Sequence, residues 1–280
     1  MLDLNNIPSK QQQTYTLYAT GNWQAWSKPR NAKFIEIFCL GGGAGGGMAS
    51  VTTGATNNGN GGGSGGIVRG LIPAFLLPDT IYILVGRGGI GATASNLGGG
   101  AAGISYVALQ PSTSEQTLIC KSSTAPALAN TAASISVVAL SAFGNLGLFT
   151  AIAGVAGSTG GLSQTALGTN LTTGGASGGS KNSSTSTVGA DINPATAILT
   201  STVLGGQTDG ASGANGYGTL QPFCGTGGAG GAGKSGTVGT GGAGGNGYYG
   251  CGGGGAGGGS ALGTKGGNGG DGLVIITVIC

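Results

Sequence analysis

The stretch GGAGGAGKSGTVGTGGAGG, residues 227–245, decides the fold. Glycine occupies Gly227, Gly230, Gly233, Gly236, Gly239, Gly242 and Gly245, and the other 12 positions hold only four more glycines, at 228, 231, 241 and 244. A three-residue beat is the period of a polyproline-II-type helix, which has three residues per turn and no internal hydrogen bonds. Its buried N–H and C=O groups must therefore find partners on neighbouring chains. Glycine faces let those chains come close enough. Collagen uses the same steric logic with abundant proline, but no proline lies between Gly225 and Cys280. The beat predicts a proline-free bundle of polyglycine-II-type helices in which the seven glycines are structural. Ala229, Lys234 and Asn246 are expected to project to the bundle surface or between layers.

Outward from that stretch, residues 225–272 hold 27 glycines in 48 positions, and after 245 the frame of the beat slips. The tract ends in LVIITVI, 273–279, an uninterrupted apolar run of the kind found in strands buried on both faces. At the other end of the chain, KFIEIFCL (33–40) is a strong strand candidate that runs directly into GGGAGGG (41–47). Further strands are predicted at 15–19, 23–26, 67–72, 80–85, 104–109 and 116–121, with Pro78-Asp79 as a turn. Trp23 and Trp26 are expected to seal a small β core, and Glu36 to face outward from its strand. Asp271 reads as a turn residue. A flexible linker would not need strands at both ends.

The fold class is therefore mainly β: a small antiparallel β-sandwich or sheet bracketing a glycine-rich polyglycine-II-type bundle, with essentially no α-helix. Residues 1–13 read as an N-terminal arm and 14–280 as one domain, with 122–222 as a variable insertion. The apolar window 134–156 contains Ser, Thr, Asn and several Gly, and reads as short strands between turns rather than a membrane span.

Composition excludes most chemistry. Only 6% of residues are charged, against about 25% in ordinary domains. The chain has no His, which removes Ser-His-Asp and Cys-His systems and His metal ligands. The seven acids are spread apart, and the expectation is no catalytic residues, no metal and no cofactor. Net charge is +3, with no basic cluster to track nucleic acid. The five Cys have neither CxxC spacing nor an even count and read as buried thiols. Residues 228–235, GAGGAGKS, match the P-loop pattern, but no hydrophobic strand precedes them and no helix can follow, so nucleotide binding is rejected. The aromatics Tyr217, Phe223, Tyr248 and Tyr249 stand out among small residues, either as caps on the bundle or as candidate receptor-contacting side chains.

Trp26-Ser27-Lys28-Pro29, the strand 33–40, Gly41 to Gly47 and the closing Gly272 to Ile276 together resemble the glycine-rich domain of bacteriophage tail-fibre and other virion proteins. The glycine tracts are similar to the polyglycine-II sandwich of phage fibre-tip adhesins. The resemblance implies a non-enzymatic virion protein: a tail-fibre tip, spike or surface component that recognises a host receptor. Its implied partners are other virion proteins, a host cell-surface glycan or outer-surface protein, and copies of itself, with a trimer favoured. No nucleic acid partner and no membrane insertion are expected. The N-terminus shows no apolar signal segment, which fits a protein made in a host cytoplasm and carried in the virion. A purely architectural capsid or tail part, and an ice-binding polyglycine-II protein, are the alternatives.

Overall fold

The computed structural model describes residues 12–49, 58–93, 98–123, 147–166, 171–181, 185–194, 198–236, 238–259 and 264–280. Most of the expected N-terminal arm, and 134–146 of the apolar window, lie outside the described residues. The architecture is mainly β, and the only helical turns among the described residues are two 3₁₀ turns, Ala74–Leu76 and Glu115–Thr117.

Two antiparallel sheets form a sandwich. The first runs β1 (Gln12–Leu17), β13 (Leu273–Ile279), β3 (Phe34–Leu40), β4 (Ile67–Pro73), β8 (Phe149–Ile152). The second runs β2 (Gln24–Ser27), β5 (Thr80–Leu84), β6 (Tyr106–Ala108), β7 (Leu118–Lys121). Three small strands, β9 (Gln164–Ala166), β10 (Ile192–Pro194) and β11 (Gly218–Leu220), precede β12 (Phe223–Gly225), which forms a hairpin with β11. Side chains alternate along each strand. Ile35, Ile37 and Cys39 of β3, Val68 and Ile72 of β4, and Val274, Ile276 and Val278 of β13 therefore face the same way. They meet Trp26, Ile81, Ile83, Val107 and Ile119 of the second sheet in one core. The strand 273–279 is paired on both sides; its core face is wholly buried, while its outer face is covered by the chain at Leu273 and opens towards Ile279. Gln12 and Gln13 open β1 rather than ending the arm.

The motif Trp26-Ser27-Lys28-Pro29 has a structural use. Trp26 enters the core. Lys28 Nζ donates to the carbonyls of Ala74 (2.9 Å) and Leu77 (2.5 Å), closing the 3₁₀ turn between β4 and β5.

Beyond the sandwich the strands continue as glycine runs, and the hydrogen-bond pattern changes. A strand points successive N–H groups to alternate sides and serves two neighbours. In 41–47 they turn through three. Gly41, Ala44 and Gly47 donate to Gly66, Gly63 and Asn60; Gly42 and Gly45 donate to Gly103 and Gly100; Gly43 and Gly46 donate to Gly270 and Gly267. The same rotation governs 252–258. Gly252, Gly255 and Gly258 donate to Thr173, Ala176 and Gly179; Gly253 and Ala256 donate to Ala44 and Gly47; Gly254 and Gly257 donate to Gly245 and Gly242. Backbone groups buried in the interior are thus satisfied between runs in three directions. Described parts of 122–222 belong to the same lattice, since 173–179 bonds both 59–62 and 228–231.

The seven glycines of the beat do not lie on one run. Residues 226–234 and 240–248 are two antiparallel runs, bonded Gly242 to Ala232 and Gly245 to Ala229. Gly236 (φ +87°) and Gly239 (φ +134°) lie in the turn between them, where left-handed backbone favours glycine. The other five beat glycines are packed so that a Cβ would fall under 3.0 Å from a neighbouring backbone. Gly228 and Gly231 are as crowded, so two faces of the run are closed, and the third carries the buried Ala229 and Ala232. Asn246, as expected, is exposed.

Ser105 joins the two parts. Its buried hydroxyl donates to Leu40 O (2.6 Å), where β3 becomes a glycine run, and accepts from Gly86 N (3.0 Å), just beyond β5. Ser105→Ala leaves the Gly86 N–H without its acceptor and takes one donor from Leu40 O, so a loss of about 1–3 kcal/mol is expected. Urea unfolding measures it; an unchanged midpoint would remove Ser105 from this role.

Candidate functional site

The registers of the first sheet arrange its outer face as rows running across the strands. One row is Gln12, Ile279, Phe34, Pro73; the next is Thr14, Thr277, Glu36, Leu71; the third is Thr16, Ile275, Phe38, Arg69, Thr150; the last is Leu273, Leu40, Ile67, Ile152. The β11–β12 hairpin lies over the last row. Phe223 packs with Leu40, Ile67 and Leu273, and its ring stands 5.2 Å from that of Phe38. Between the hairpin tip and the uncovered rows is a groove of about 430 Å³. Phe38, Ile275, Leu171 and Leu220 give it apolar surface. Glu36 and Arg69, paired through Oε1 and Nε, cross it, and Glu36 faces outward as its strand parity predicts. Gln12, Thr14, Thr277 and Gln221 add neutral polar side chains.

Among the four aromatics singled out in the sequence, Phe223 lines this groove. Tyr248 and Tyr249 pack in the seam behind it, 4.9 Å apart, and Tyr249 lies 5.7 Å from Tyr18. Glycine at 218 and 225 makes room for the Tyr248 ring against the hairpin. Burial pushes the phenols of Tyr248 and Tyr249 up. Tyr217 stands at the base of the same hairpin, its carbonyl accepting from Thr226 N (2.9 Å), but does not line the groove: its hydroxyl donates to Ser201 O (2.5 Å) and accepts from Ser201 N (3.0 Å). The structure therefore gathers all four around one hairpin, with Phe223 alone of them lining the groove. Gln12, Thr14, Glu36, Arg69, Thr277 and Gln221 were not singled out in the sequence. Alternation along β3 and β13 places Glu36 and Thr277 outward, but only the strand order makes them neighbours.

The P-loop-like residues close on a carboxylate of the same chain. Lys234 Nζ donates to Asp209 Oδ2 (2.7 Å), and Ser235 donates its N–H to Oδ1 (2.5 Å) and its hydroxyl to Oδ2 (3.1 Å). The Lys234 ammonium, then the Ser235 N–H, hold the Asp209 carboxyl well below the usual carboxylate range. These groups, which a P-loop would turn towards phosphate, instead pin the end of run 226–234. Asp271 is no turn residue: its Oδ1 accepts from Gly88 N (2.7 Å) at the lattice edge.

None of the five cysteines is in a disulfide, and four are buried. The hydrogen bond with Cys39, then burial, pushes the Cys120 thiol up; burial pushes Cys251 up to about 12. At neutral pH these thiols are packing groups, not nucleophiles. Among the described residues no cluster of three or more Cys, Asp or Glu is placed to hold a metal ion, and no helix is long and apolar enough to cross a membrane.

No curated protein gives a significant match to the chain. The sequence model of the glycine-rich domain matches residues 18–278, from the end of β1 to the last strand, and so covers both the sandwich and the lattice. The chain is a member of the glycine-rich domain family.

Proposed function

We propose that this chain is a non-enzymatic structural protein of a bacteriophage particle, a tail-fibre tip, spike or surface component that recognises a host-surface receptor. The observation that carries the reading is the three-way rotation of N–H donors in 41–47 and 252–258. Its period of three is that of a polyglycine-II helix, and we take the runs to be such helices. A bundle bonded in three directions holds attached loops and grooves in fixed positions with few bulky or charged side chains. That suits a part exposed at the tip or surface of a particle. The resemblance of Trp26 to Pro29, 33–47 and 272–276 to virion glycine-rich domains supports the same assignment.

The groove beside the β11–β12 hairpin is the receptor site in this reading. Phe34, Leu71, Phe75 and Ile279, exposed at the end of the sandwich away from the lattice, favour attachment there to another virion chain. The labelled chain is expected to bind whole cells of at least one bacterial strain in a panel, and antibody against it to label one defined part of purified particles. Labelling with no cell binding would leave the architectural role alone; failure of both would end the proposal.

A further inference from the structure

We infer that the groove beside the β11–β12 hairpin binds a neutral pyranose unit of a surface saccharide. The inference rests on the host-recognition reading and names its ligand class. β13, β3 and β4 form the floor, and each is paired on both sides, so their backbone groups are committed to the sheet. A ligand on this face must be recognised by side chains. An extended peptide gains most of its affinity from main-chain bonds to a sheet edge, and this floor offers it none.

The side chains present suit a compact polyol. Phe38, Ile275 and Leu220 supply apolar surface for the C–H face of a sugar ring. Gln12, Thr14, Thr277 and Gln221 can each donate and accept, as ring hydroxyls require. The charges cancel: Glu36 and Arg69 bond through one atom of each, leaving the other carboxylate oxygen and the terminal guanidinium nitrogens for hydroxyl groups. The Glu36 carboxylate stands against phosphate, sulfate or uronate in the same place. The volume, about 430 Å³, is within the range of small-ligand sites.

Saturation-transfer NMR on the full chain tests this with methyl glycosides of glucose, galactose, mannose and N-acetylglucosamine, and with glucuronate and glucose 6-phosphate as charged probes. At least one neutral glycoside is expected to bind, and the charged probes to bind at least tenfold more weakly. Gln221→Ala and Arg69→Ala, both at exposed positions, and Thr277→Val are each expected to weaken the neutral ligand at least tenfold while thermal unfolding stays unchanged. No binding by any neutral glycoside, or binding that all three variants leave intact, overturns the inference. Cell binding by wild type and all three variants alike would overturn the groove while sparing host recognition. Sugar binding lost in the variants, by a chain that binds no cell, would uphold the groove and overturn the host-recognition reading.

Discussion

Gly254→Ala is expected to destabilise the glycine lattice by at least about 3 kcal/mol, more than many core truncations cost. The added methyl group would fall under 3.0 Å from the Ala229 carbonyl. Gly254 N donates to Gly245 O (2.8 Å), and its carbonyl accepts from Gly267 N (2.8 Å). Moving the backbone to relieve the clash stretches both bonds, and neither group has water as a substitute in this buried run. Gly242→Val meets the carbonyl of Ala211 in the same way and is expected to cost at least as much. Ala243→Val is the control, because Ala243 sits in the same run on a half-exposed face; its cost should stay within about 1 kcal/mol. Ala229→Val would not serve, since Ala229 is wholly buried between runs. Thermal and urea unfolding of the three variants decide the matter, and indistinguishable stabilities would mean that close backbone packing does not hold this half together.

The parts of the fold legible in the sequence are those where side chains carry a pattern. Phe34–Leu40, Ile67–Pro73, Thr80–Leu84 and Leu273–Ile279 are apolar and bounded by turn residues, and each lies within two residues of its expected limits. The three-residue beat was equally legible, because only the absence of a Cβ permits contacts as close as those at Gly230 or Gly245. The turn at 236–239 was not. A glycine that admits a neighbour and a glycine that admits a positive φ are the same letter, so the beat ran unbroken across the place where the chain reverses. The segment 122–222 was opaque for a related reason. Its Ser, Thr, Ala and Gly residues fit any small-residue lattice, and what fixes 173–179 is the spacing of its partners at 59–62 and 228–231. The groove lay further out of reach. It brings Gln12, Glu36, Gln221 and Thr277 together through pairings far apart in the chain, and no local period encodes that.

The chain holds five Asn-Gly pairs among its described residues, Asn58-Gly59, Asn60-Gly61, Asn215-Gly216, Asn246-Gly247 and Asn268-Gly269, and in the folded protein all five are expected to resist deamidation. The reaction begins when the glycine nitrogen attacks the asparagine side-chain carbon. Ammonia leaves, and water opens the resulting ring to Asp or isoaspartate. Glycine after asparagine puts no side chain in the way, so an unfolded copy should react readily at every pair. In the lattice the attacking nitrogens are occupied: Gly59, Gly61, Gly216, Gly247 and Gly269 donate to Ala256, Ser158, Asn246, Asn268 and Gly89 at 2.7–2.9 Å. Several side chains are fixed too. Asn215, Asn246 and Asn268 accept from Asn246 N, Asn268 N and Gly91 N, forming a ladder across the exposed edges of adjoining runs. Reaction therefore requires opening, and each 1.36 kcal/mol of opening free energy slows it about tenfold. Conversion followed by mass spectrometry at mildly alkaline pH should be on the order of a hundredfold slower in the native protein than in concentrated urea. The exposed ladder gives the sharper comparison, because solvent reaches Asn246 and Asn268 in both states. If these two converted as fast in the native protein as in urea, the hydrogen bonds would not be restraining them. Slow conversion at exposed sites would show that backbone bonding between runs, and not exclusion of water, keeps the lattice intact.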